Sequence, residues 1–77
     1  MEGTLGEVKY FAGNFAPRGW AFCQGQIMAI NSNTALFSIL GARYGGNGRD
    51  TFGLPKIDDL NDCKAIICLE GVYPSRS

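Results

Sequence analysis

The chain has 77 residues, seven basic side chains against seven acidic ones, three cysteines and no histidine. That length predicts one domain, residues 1–77, which buries only about 60–65% of the surface its unfolded chain exposes. The balanced charge excludes a field that would concentrate the chain on nucleic acid or an anionic membrane. Cys23, Cys63 and Cys68 form no CxxC pair, so a zinc site lacks its ligand set and no metal or other cofactor is expected. The odd thiol count fits buried apolar cysteines or a reducing compartment better than a disulfide framework. With neither staple, a thin core points to oligomerisation, and to another chain covering leftover apolar surface, including part of residues 65–69. No apolar run approaches the ~20 residues that span a bilayer. The start MEGTLGEVKY has neither the charged nor the apolar region of a signal peptide, so the chain reads as soluble and without a secretory leader.

Residues 5–12 alternate, with Leu5, Glu7 and Lys9 on one side and Val8, Tyr10 and Ala12 on the other, the pattern of a half-buried strand. The turn chemistry NFAPRG follows, in which Pro17 fixes its own φ and Gly19 is free to take a positive one. Residues 20–24 and 27–30 read as two more short strands around Gly25 and Gln26, so the chain opens as a meander. NSNTALFSILG is the one helix: Asn31, Ser32 or Asn33 can cap it, Leu36, Phe37, Ile39 and Leu40 form its apolar face, and Gly41 stops it. At about two turns it needs the strands to dock on.

ARYGGNGRDTF places three glycines among polar residues and reads as a loop. Pro55 forces Leu54 into an extended path, and IDDLND is a polar turn. Residues 63–70, CKAIICLE, form the strongest strand, and their continuous apolar run implies burial on both faces. The tail GVYPSRS carries no further predicted element. The fold class is therefore α+β, small and mainly β, with one short helix.

Chemistry-bearing groups are few. Gly45, Gly46 and Gly48 invite a phosphate reading, but the P-loop needs a Lys followed by Ser or Thr, and the dinucleotide fingerprint needs a strand before and a helix after the glycines. Here that order is reversed, which leaves a structural loop. No catalytic residue is nominated, because a cysteine nucleophile has no histidine base and Asp58, Asp59 and Asp62 lack calcium-loop periodicity. The candidate ligand or partner surface is Arg43, Tyr44 and Arg49, where guanidinium groups and a ring can serve sugar or protein recognition. The competing reading has the arginines bonded to loop carbonyls and Trp20 packed inward, and Tyr44 fits either. Pro17, Gly19, Trp20, Gly45, Gly46, Gly48 and Pro55 are the expected turn and core positions.

Assembled, FAGNFAPRGWAFCQGQ, INSNTALFSILGARYGGNGRDTFGLP and IICLEGVYPSRS resemble the phage tail collar domain family, whose members are also labelled microcystin-dependent proteins. The resemblance runs from Leu5 to the end. It rests on an aromatic-Pro-x-Gly-Trp turn, a Cys-x-Gly segment, a Leu-Phe-x-x-Leu-Gly helix, a Tyr-Gly-Gly-x-Gly loop and Phe-x-Leu-Pro. It implies a non-enzymatic structural module, a homotrimer or the partner of a larger fibre or adhesin protein. Such a module belongs to a virion or injection particle, or reaches a cell surface through its partner.

Many relatives follow Leu-Pro with Asp-Leu-Arg-Gly-Arg and a long fibre-tip insertion. Here LPKIDDLNDCKAIICLEG goes straight to the closing strand, which weakens direct receptor recognition and favours a collar, adaptor or assembly subunit. The alternatives are a small carbohydrate- or receptor-binding surface subunit using the glycine loop, and an accessory chain co-exported with a large adhesin.

Overall fold

A computed structural model of the chain describes residues 3–74; the ends of the opening and closing segments, positions 1, 2 and 75–77, lie outside them. The elements are β1 (Val8–Phe11), β2 (Trp20–Phe22), β3 (Ile27–Ala29), α1 (Thr34–Leu40), β4 (Thr51–Gly53) and β5 (Lys64–Cys68). The class is the expected one, mainly antiparallel strands with one short helix. The chain packs as two compact units, one made of the segments up to Phe22 and from Asp58 onward, the other of residues 23–57.

In the first unit the strands do not pair with their neighbours in the chain. The sheet order is β1-β5-β2, antiparallel throughout. The physical reason lies in β5: Ala65, Ile66, Ile67 and Cys68 are all buried, and a strand apolar on both faces belongs at the centre of a sheet, not on its edge. Expecting part of this strand to be covered by another chain was therefore wrong, since its own chain already covers it. A turn at Asn61 and Asp62, both with positive φ, leads into β5, with Leu60 and Cys63 exchanging main-chain bonds across it.

Directly opposite residues share a face of a sheet. On one face Trp20, Ile66 and Cys68 form the core, with Phe11 and Phe22 packed against it. Trp20 is 5% exposed, and the Lys9 ammonium lies 4.5 Å from its ring centroid. Trp20 Nε1 is buried and finds no hydrogen-bond partner among the described residues. The opposite face carries Val8, Tyr10, Ala21, Ala65 and Ile67, by the registers Val8 with Ile67, Tyr10 with Ala65 and Ala21 with Ile67.

The turn into β2 closes with Trp20 N–H on Pro17 C=O at 2.9 Å, and Gly19 takes φ 82. The Gly19 carbonyl then accepts from both Leu69 and Glu70. This fixes where β2 begins against β5.

In the second unit residues 23–30 run antiparallel to 50–57. Ile57 N–H donates to Cys23 C=O, Gly25 N–H to Pro55 C=O, Leu54 N–H to Gln26 C=O and Ile30 N–H to Asp50 C=O. Strands β3 and β4 are the regular part of that ladder. Helix α1 buries Leu36 and Leu40, and its Phe37 ring lies 5.5 Å from the fully buried Phe52 ring. Its seven residues gain stability from that packing, because two turns alone are marginal in water.

Asn33 occupies the N-cap position without making a side-chain cap bond. Its Nδ2 instead donates to Ala29 C=O at 2.9 Å, tying the helix start back to β3. Gly41, at φ 64, ends the helix with its N–H on Phe37 C=O.

Candidate functional site

The glycine loop runs from the end of α1 into β4, and Asn47 organises it. Asn47 Oδ1 accepts the backbone N–H groups of Arg49, Asp50 and Thr51 at 2.8, 2.8 and 3.1 Å. Its own N–H donates to Thr51 Oγ1 at 3.1 Å. Asparagine is suited to this task because its short amide reaches main-chain donors two or more residues ahead.

So organised, the loop lies along the outer edge of β4. Gly53 N–H donates to Gly45 C=O and Gly48 N–H donates to Thr51 C=O, both at 2.9 Å. These are edge groups of β4 that would otherwise face solvent unpaired.

Gly46 makes the contact possible. A Cβ there would stand 2.4 Å from Phe52 Cα and 2.6 Å from Phe52 N, and its φ is 80. Backbone meets backbone with no room for a side chain. Gly53, facing the loop from β4, is equally tight, its Cβ position lying 2.5 Å from the Tyr44 carbonyl oxygen.

The proposed surface residues divide. Arg43 Nε donates to Leu40 C=O at 3.1 Å and Nη2 to Ile39 C=O at 3.5 Å. The cation thus satisfies carbonyls that the helix C-terminus leaves open. Its guanidinium lies 5.4 Å from the centroid of the half-exposed Tyr44 ring.

Arg49 lines a different place, an open cavity of about 310 Å³ with Ile30, Asn31, Thr34 and Asp50. Arg43 and Tyr44 form a pair that Arg49 is not shown to join. Pro55 is buried beside Leu54, and its carbonyl accepts from Gly25.

Elsewhere the groups are ordinary. All three cysteines are free. Burial pushes the Cys23 thiol up from its ordinary value. Burial also pushes up the Cys68 thiol, against the opposing effect of its bond to Glu70 C=O. Neither thiol is poised as a nucleophile. Asp59 pairs with Lys64 at 3.3 Å, exposed on both sides. Among the described residues no three His, Cys, Asp or Glu side chains gather as a metal would require, and no helix is long and apolar enough to cross a membrane.

Two features escaped the sequence reading. One is Asn47, detectable as an Asn-Gly placed four residues before a Thr. The other is the exposed apolar pair Val8 and Tyr10 on β1, whose outward aspect needed the sheet order to be seen.

A comparison with known families matches residues 6–60 to the Phage Tail Collar Domain. No curated protein matches the chain.

Proposed function

The chain belongs to the phage tail collar domain family, and on that premise we propose that it is a non-enzymatic structural subunit of a tail-fibre assembly, acting as a small collar or adaptor. It works by shape and by association with copies of itself, as a homotrimer in the arrangement the resemblance implies, or with a larger fibre or adhesin protein. The observation that carries this reading is the use of the glycine loop. Its glycines and Asn47 are spent on closing the edge of β4, where a ligand-binding loop would present its donors to solvent. The Arg43 side chain likewise serves the end of α1.

Carbohydrate recognition would require Arg43, Tyr44 and Arg49 to converge on one ligand, since a sugar or carboxylate is held by a ring face and guanidinium donors together. The Arg43 bonds to the helix favour the structural reading over that one.

Light scattering on the purified chain, alone and co-produced with a tail-fibre protein, tests the proposal. A defined oligomer or a stable complex is the expected result. A monomer at micromolar concentration that forms no complex contradicts it.

A further inference from the structure

An asparagine followed by glycine is the dipeptide most prone to lose its side-chain amide, because no β-carbon on the second residue hinders attack by its main-chain nitrogen. The chain has one such pair, Asn47 and Gly48, and it also has Asn31 followed by Ser32, where a β-carbon does hinder attack. By sequence alone Asn47 should react far ahead of Asn31. The structure treats the two in opposite ways.

At Asn47 both reacting groups are held. The Gly48 N–H, whose nitrogen would attack, donates to Thr51 C=O at 2.9 Å. The Asn47 amide that would be attacked is anchored through Oδ1, which takes the N–H groups of Arg49, Asp50 and Thr51. Behind them the loop lies on β4, with Gly46 against the Phe52 backbone. Asn31 has no such restraint. It is exposed and lines the open cavity beside Arg49, and neither its amide nor the Ser32 N–H has a hydrogen-bond partner among the described residues.

We infer that Asn47 is a guarded modification site, a deamidation centre that the closed glycine loop keeps silent and that opening of the loop from β4 sets off. In the step itself the Gly48 nitrogen gives its proton to water or hydroxide and bonds to Asn47 Cγ, while the amide nitrogen leaves as ammonia. Water then opens the cyclic imide at either carbonyl. One opening gives aspartate, which keeps an acceptor in place for the same three N–H groups. The other gives isoaspartate, with the main chain rerouted through the side chain and longer by a methylene. That added length falls between Gly46, packed on Phe52, and Gly48, bonded to Thr51. A loop that has reacted this way no longer closes the edge of β4.

The three donors on Oδ1 also act in the opposite sense, since they would stabilise the negative charge that grows on that oxygen during attack. That effect loses. The Gly48 bond ends on the Thr51 carbonyl and one of the three donors is the Thr51 N–H, so the opening that frees the nucleophile also loosens the donors. The strength of the guard is thus the free energy of local opening.

Peptide mapping of chains aged at mildly alkaline pH, in buffer and in urea that unfolds them, tests this with Asn31 as the internal reference. In urea Asn47 should react well ahead of Asn31. In buffer the ratio of the two rates should fall at least ~10-fold, the factor set by a local opening of ~1.4 kcal/mol. Gly46→Val, which unseats the loop, should raise the Asn47 rate in buffer and leave the Asn31 rate unchanged. The wild-type comparison carries the test if that variant does not fold. A ratio in buffer equal to or above the ratio in urea overturns the inference, whatever the oligomeric state of the chain. So does a folded Gly46→Val whose Asn47 rate stays at the wild-type value.

Discussion

The outer edges of β4 and β1 pose the same physical problem and receive opposite treatment. Each presents main-chain donors and acceptors at the rim of a small sheet. Along β4 the chain answers with its own loop, bringing Gly46 so close to Phe52 that not even a methyl group fits. Along β1 Val8 and Tyr10 stay exposed, and the strand phase turns their main-chain groups away from β5 with no bond to another described residue. The same small protein thus closes one sheet edge with a glycine loop of its own and leaves Val8 and Tyr10 exposed along another.

The strongest way to break the contrast is to uncover β4. Gly46→Val combines a positive φ, which costs ~1–2 kcal/mol for a residue with a Cβ, with a clash against backbone that cannot move aside. Thermal melts should show a loss of at least ~2 kcal/mol, and the freed edge should bring aggregation.

Asn47→Ala acts on the same edge more gently. It removes the acceptor for three N–H groups that solvent can partly satisfy, so denaturant titration should show a loss of ~1–2 kcal/mol.

A pH series sharpens the comparison by probing the cores under the two sheets. The folded state raises the pKa of Cys23 and Cys68 above the ordinary value of 9.0. Their contribution is full below that pH and is lost as the pH rises through the raised values. The melting temperature should fall above pH ~9, and Cys23→Ala with Cys68→Ala should flatten that decline.

The smallest effects belong to the loop's arginines. Arg43→Ala should cost under ~1 kcal/mol through lost carbonyl bonds, and Arg49→Ala should stay within ~0.5 kcal/mol. Neither should change binding on a glycan array. A reproducible glycan signal that Arg49→Ala or Tyr44→Ala abolishes in folded protein would favour the carbohydrate reading.

Much of this was legible in the chain. The short helix, its stop at Gly41, the inward Trp20 and the two-sided burial of residues 65–68 follow from periodicity and composition, and the closing strand was recognised as the most apolar. What the sequence concealed was pairing. Short strands of three to five residues carry too little pattern to name their partners. Hence β5 entering between β1 and β2 was not visible, and neither was the openness of the β1 edge. The site was less legible than the fold. Arg43 looked like a surface cation, yet its bonds depend on where the helix ends, and Asn47 acts through main-chain donors that have no side-chain signature.

Residue-resolved amide exchange by NMR, at low and high protein concentration, tests the division of the two edges most directly. The Gly48 and Gly53 amides should be protected equally at both concentrations, because their partners lie in the same chain. The Val8 and Tyr10 amides, which face away from β5, should exchange faster in dilute protein than the Lys9 amide, which faces it. Val8 and Tyr10 amides as protected as Lys9 in dilute protein, or Gly48 and Gly53 amides that exchange as fast as unstructured backbone, would contradict the account.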